Sequence, residues 1–450
     1  MYCHNNALEA FVREKLPMKN HYAVRLWLTA VLSVYVVSAM PQTLAQSVDN
    51  TLTLTQAVER TLEAYPSLRR FSILDRQQSM EVDIAALKPG YTVDVELENA
   101  FGSRQFQGVD SADLTIALSS VIELGGKREA RTSLAQARMQ KTATQQRVMT
   151  LDVLGKLVAD YIAVLSTQED LALKREARQI SADMLRSVQN RFDNGAASEA
   201  ELMLARARLS QAEIALDQVS AELERGQISL SLYWGEANPT FDRLEGNFLH
   251  FDPLRPVDGL LDLLSESPAL EIYADRARIQ AAELSLQASQ SRQDVAWQFG
   301  LRHLAGSNDT AMVAGVSIPL FVAQRNQAYL ERERLDQQLV SIEREQALLD
   351  LQSRLMRAYS LYQQAVAAAT RMRGDVVPDL ERALVVTRDS YEQGLLRYQE
   401  LILAEQELLD ARATLIDQAT RGHQSLALIE QLTGMTLRMT SDTTPPPSAQ

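Results

Sequence analysis

The chain has 450 residues, room for roughly two or three ordinary domains, and a formal net charge of −13. That charge argues against a nucleic-acid partner, because no basic excess exists to neutralise phosphates. Only 6% of residues are aromatic, and Ala, Leu, Glu, Gln and Arg dominate, the mixture expected of long helices. A single cysteine, Cys3, rules out an internal disulfide framework, and His4, His21, His250, His303 and His423 show no metal-ligand spacing.

The chain opens on a leader, 1–45. Lys19, His21 and Arg25 precede an apolar run, LWLTAVLSVYVVSA (26–39), and small residues follow in TLAQS. Residues 18–45 read as a secretory signal peptide cleaved after Ala45. The run is too short for a good transmembrane helix. Cleavage removes Cys3, so the exported chain has no cysteine.

A first unit, 46–257, begins with a helix over about 55–87, bent at Pro66 and ended by Lys88-Pro89-Gly90. Then YTVDVELENAF (91–101) alternates: Val93, Val95 and Leu97 take one face, Asp94, Glu96 and Glu98 the other. A second strand, 113–123, alternates Leu114, Ile116 and Leu118 with Thr115, Ala117 and Ser119. After Gly125-Gly126 a helix of roughly 65 residues spans about 100 Å. A turn at 193–198 reverses it into a helix ending near 232. The irregular segment 233–257 closes the unit.

The second unit, 258–440, repeats this order. A helix over 258–290 carries Pro268 near its start, as Pro66 stood before. Strands follow at 295–303 and 311–320. A helix over 323–391, interrupted at Gly374 and Pro378, leads to a turn at 392–397 and a last helix to about 432. TTPPPSAQ makes 441–450 a disordered tail.

The two turns prove the duplication. Aligning Gly195 with Gly394 puts Glu201 on Glu400, Leu202 on Leu401, Ala205 on Ala404, Leu209 on Leu408 and Ala212 on Ala411, the pattern G-x5-E-L-x2-A-x3-L-x2-A. The period covers half the exported chain, which is a duplication rather than a solenoid.

Four strands with one apolar face cannot stand alone in water, and a closed barrel needs about eight. Each strand is long enough, at about 9–11 tilted residues, to cross a bilayer. Every backbone polar group must be satisfied there, so an open sheet is excluded and copies must share one barrel. The long helix faces two ascending pieces, about 198–232 and 258–290, of matching summed length, with 233–257 as a belt at mid-height.

The turn motifs, and IELGGKREAR after the second strand, make the chain resemble the TolC-type outer-membrane efflux proteins, most closely the CzcC/CusC-like heavy-metal branch. The resemblance covers about 51–437. It implies a mainly α fold with a small membrane β part: a helical periplasmic tunnel and a β-barrel shared by a homotrimer, with four strands from each chain. It also implies a passive exit duct in the outer membrane, not an enzyme, working with a periplasmic adaptor and an inner-membrane RND-type pump. Ducts for drugs or type I secretion share this plan. A periplasmic coiled-coil adaptor is a reading of another class, disfavoured by two equivalent hairpins and four strands.

On that resemblance the turns become adaptor-docking tips: Arg191, Asn194, Gly195, Ala196, Ala197 and Ser198 in the first, Gln393, Gly394, Leu395, Leu396 and Arg397 in the second. Glu201, Glu400 and Tyr391 fall on gate positions. Ser198-x-x-Glu201 is also a capping box, which gives Glu201 a structural role. The family often carries another acid where this chain has Leu403. Asp94, Glu96 and Glu98 would line the barrel lumen, where carboxylates favour cations. No Gly-rich phosphate loop, nucleophile motif, cofactor site or metal site is present, and Met435 and Met439, one helical turn apart, are weak grounds for copper.

Overall fold

A computed structural model describes residues 50–435. The leader with its expected signal peptide, and the expected disordered tail, lie outside the described residues.

Strand β1 (Thr51–Leu52) leads into α1 (Leu54–Ala64). The first turn of α1 is closed reciprocally: the Thr53 hydroxyl accepts from the Gln56 N–H and the Gln56 side chain accepts from the Thr53 N–H, both at 3.2 Å. Next come α2 (Pro66–Arg69), α3 (Phe71–Ala85), β2 (Thr92–Glu98) and β3 (Asp113–Ile122). Helix α4 (Lys127–Asp193) is 67 residues long, and α5 (Glu199–Ser231) returns along it. After β4 (Arg243–Leu244) the second half brings α6 (Val257–Ser265), α7 (Pro268–Gln290), β5 (Val295–Leu304) and β6 (Asp309–Ser317). Then α8 (Val322–Arg371), a π turn (Met372–Val376), α9 (Val377–Glu392) and α10 (Tyr398–Thr433) complete the chain. The fold is mainly α with a small β part.

The four long strands form one antiparallel sheet in the order β2-β3-β5-β6, so β2 and β6 are its edges. Helices follow the same logic. Helix α4 packs on α3 and α5 along one flank and on α7 and α10 along the other, while α8 packs on α7 and α10 and α9 on α10.

Four apolar clusters among the described residues fill this layer. One of them joins Leu157, Tyr161, Ile162 and Leu165 of α4 to Leu52, Trp234, Phe241, Leu244 and Phe248. The belt is also tied by polar bonds. The Tyr161 hydroxyl donates to the Leu52 and Glu245 carbonyls at 2.8 and 2.6 Å, and the Tyr362 hydroxyl to Asp252 O at 2.6 Å. His423 Nε2 lies 2.9 Å from Phe248 O, and its ring stacks on Phe251 at 5.0 Å. Tyr161, Tyr362 and His423 thereby find the partners that burial demands.

Several sequence expectations need correction. The helix expected over 55–87 is three helices, because Pro66 forces Tyr65 into an extended conformation, ψ 121°. The strand expected to reach 101 stops at Glu98, where Asn99 and Phe101 take φ of 55° and 60°. The last strand is shifted to Asp309–Ser317, since Pro319 offers no N–H to a ladder. The interruption at Gly374 and Pro378 is a π turn inside a continuous helical column.

The ascending columns are also composed differently from expectation. Above α5 stands α1, not α7: Tyr65 stacks on Tyr233 at 5.7 Å and Arg60 covers Trp234 at 5.6 Å. Helix α7 stands on α10 instead, with Pro268 Cδ 3.6 Å from where a Gly434 Cβ would be. Each repeat therefore stacks its own first helices on its own last one.

Candidate functional site

The two hairpin tips share one local geometry. In the first, Gly195 (φ 74°) donates to Phe192 O at 2.9 Å and Ala196 N–H to Arg191 O at 2.7 Å. In the second, Gly394 (φ 76°) donates to Tyr391 O at 2.9 Å and Leu395 N–H to Ser390 O at 2.9 Å. Both are left-handed glycine C-caps that satisfy the last carbonyls of the descending helix, so glycine is required at both.

The ascending helices are capped by different chemistry. The Ser198 hydroxyl accepts from the Glu201 N–H at 3.3 Å, half of the expected box. A carboxylate-to-backbone bond forms at the other tip, where Glu400 Oε2 accepts from the Arg397 N–H at 2.7 Å. Glu400 therefore serves as a cap, the role the sequence suggested for Glu201.

Asn194, Gly195, Ala196 and Ser198 are exposed, as are Gln393, Gly394, Leu395 and Arg397, while Ala197 and Leu396 are half-buried. Leu395, at 72% exposure, is an apolar side chain presented to water. Arg191 is not on this rim. Its guanidinium reaches between the tips, donating to Tyr391 O at 2.5 Å, Glu392 O at 3.2 Å and Ala196 O at 3.2 Å.

Tyr391 lies beneath that guanidinium, 2% exposed, and 6.0 Å from the ring of Tyr398. Among the described residues neither hydroxyl has a hydrogen-bond partner. Burial pushes both phenols up, Tyr398 to about 12. Glu201 is close enough to add to both shifts. The structure thus brings Arg191, Tyr391 and Glu201 together and leaves Glu400 exposed.

The sheet carries the other candidates. Asp94, Glu96 and Glu98 stand opposite Ala117, Thr115 and Asp113. Asp94 accepts from the Ser119 hydroxyl at 2.6 Å, and Glu98 is paired with Arg302 at 2.9 Å. Arg302, which sequence reading passed over, also donates to Thr115 Oγ1 at 2.9 Å. The opposite face is apolar: Val93, Val95, Leu97, Leu114, Ile116, Leu118, Phe299, Leu301, Met312 and Val316 are all exposed. Tyr91 and Trp297 meet edge to face at 6.4 Å at one end of it.

Among the described residues no helix is long and apolar enough to cross a membrane, and no group of three or more His, Cys, Asp or Glu side chains is placed to hold a metal ion.

Comparison with known proteins gives this architecture its place. The family described as outer membrane efflux protein matches residues 76–236. The cobalt-zinc-cadmium resistance protein CzcC of Cupriavidus metallidurans is 26% identical over 322 residues, covering 71% of this chain and 77% of that one. Among solved structures, CusC superposes with a TM-score of 0.73 at 17% identity, over 86% of this chain and 92% of the other. VceC from Vibrio cholerae gives 0.69 at 17% identity, over 86% and 97%. Residues 76–236 thus match the outer membrane efflux protein family, the chain is similar to CzcC over most of its length, and its fold is that of the solved outer-membrane channels.

Proposed function

We propose that three copies of this chain close into one duct, and that it releases heavy-metal cations delivered by an adaptor and a pump. The observation that carries the reading is the sheet. It is open at β2 and at β6 and exposes an apolar face. In lipid both edges must be hydrogen-bonded, and β6 of one copy against β2 of the next does this head to tail until the ring closes. The apolar face then meets lipid, flanked by Tyr91 and Trp297, while Asp94, Glu96 and Glu98 line the lumen.

The helical layer supports the same assembly. Its free flanks carry unpartnered apolar rows at coiled-coil spacing: Leu335, Ile342, Leu349 and Met356 on α8, and Ile73, Met80 and Ile84 on α3, all exposed. The tips, with exposed Leu395 and the half-buried Leu396 and Ala197, form the end that an adaptor meets. Likeness to CzcC and an acidic lumen face favour metal cations as the cargo.

Two measurements test this. The purified protein in detergent should have the mass of three chains; a monomer overturns the shared barrel. Deletion of the gene should sensitise cells to cobalt, zinc or cadmium, reversed by the intact gene. Unchanged metal tolerance with lost drug tolerance would make the cargo organic.

A further inference from the structure

Below the belt, α4, α5, α9 and α10 pack around an apolar seam that includes Met184, Val188, Leu202, Leu384, Leu401 and Leu408. The inward positions of α10 run Leu401, Glu405, Leu408, Arg412, Leu415 and Ala419, alternating steps of three and four as in a coiled coil. Two of these places, one heptad apart, hold charges. They are treated very differently.

Arg412 is compensated twice. It pairs with Glu176 of α4 and, at 2.5 Å, with Glu381 of α9. Glu405 is 2% exposed, and its recorded hydrogen bond is a long one from the Ser181 hydroxyl of α4 at 3.4 Å. Among the described residues no cation lies within ion-pair distance of it. The groups facing it are Arg208 of α5, Arg388 of α9 and Ser181 of α4, with Tyr398 and Arg412 on its own helix one heptad to either side and Glu201 at the end of the seam beside Tyr398. A buried carboxylate held this loosely is costly when ionised.

We propose that Glu405 is a proton-operated catch on the tips: protonated, it lets the second hairpin pack against the first; ionised, it drives them apart. This rests on the duct reading above and concerns its regulation.

The direction follows from burial. Desolvation raises the Glu405 carboxyl above its ordinary value of 4.5, outweighing Arg208, the Ser181 bond and Arg388, which lower it. The packed seam therefore binds the proton more tightly than the parted one. Its contribution to packing is full below the ordinary carboxyl value and is lost as pH rises through the raised one. Acid closes the tips and alkali loosens them. Arg208 and Arg388 keep the raised value from climbing further.

The test is conductance of the purified full-length protein in planar lipid bilayers, scanned from about pH 5 to about pH 8. Tip separation is followed in parallel by spin labels at Glu199→Cys and Gln393→Cys. The wild type should gain conductance and label distance as pH rises. Glu405→Gln, a mimic of the protonated form, should lose the pH dependence and stay at the acid level throughout. Arg388→Gln, which keeps the carboxyl, should move the midpoint to higher pH. A wild-type profile that is flat, a profile unchanged in Glu405→Gln, or an unmoved midpoint in Arg388→Gln overturns the catch. Wild-type protein that forms no pores at any pH overturns the duct itself.

Discussion

The Arg191 guanidinium lies 4.5 Å from the centre of the Tyr391 ring, joining the first hairpin to the second within one chain. It also caps the C-terminal carbonyls of α9, where helix dipoles favour a cation. Removing it takes away charge-assisted hydrogen bonds and a cation–π contact together. Arg191→Ala should cost about 2–3 kcal/mol of local stability. Raised conductance of the purified channel is the expected readout, with Arg191→Lys intermediate because it lacks the planar fork. Wild-type conductance in Arg191→Ala would show that the contact does not hold the tips.

The belt carries a second pH response of opposite sign. Burial lowers His423 below its ordinary 6.5, so the folded belt favours the neutral ring. Stability from this group is full above the ordinary histidine value and is lost as pH falls through the lowered one. Melting temperature should therefore decline on acidification, and His423→Gln should flatten that decline while lowering stability at neutral pH. A melting profile that keeps its slope in His423→Gln would assign the decline to other groups.

The exposed row on α8 should govern assembly. Ile342→Asp together with Leu349→Asp places charge in the seam proposed between copies. Light scattering in detergent should then show monomers in place of trimers. Because both side chains face water in the single chain, the helical content of the monomer should be kept. Trimers that survive the double change would place the contact elsewhere.

The carboxylates proposed to line the lumen should differ in weight. Glu98 is paired with Arg302, while Glu96 faces Thr115 across the strands. Glu96→Gln should reduce cation preference, read as reversal potential in a salt gradient, more than Glu98→Gln. Arg302→Gln should increase it. Equal effects of the two glutamates would mean that the Arg302 pair does not screen Glu98.

Period and turn chemistry made most of the architecture readable. Alternation in Val93-Asp94-Val95-Glu96 specifies a two-faced strand, and the glycine-centred tips repeat because the same left-handed cap is needed twice. Strand ends were misjudged where single residues take positive φ, which no local pattern announces. The vertical stacking was missed because it rests on the meeting of Tyr65 with Tyr233, far apart in sequence. The resemblance alone puts Arg191 among the tip residues. Its contacts are with the other hairpin, and only the folded chain brings them near. Glu405 gave no signal, being one acid among many on a helix rich in them.

The π turn at Met372–Val376 makes the duplicated halves mechanically unequal. Helix α4 is an unbroken strut from sheet to tip, whereas the corresponding rod of the second half has a joint at the height of the belt. An extra residue in one turn advances everything below it by about 100° around the axis. The joint sits where Arg373 holds Leu249 O at 3.2 Å. The column of the second half therefore carries a break in its regular α-helical hydrogen bonding between strands and tip that the first half lacks.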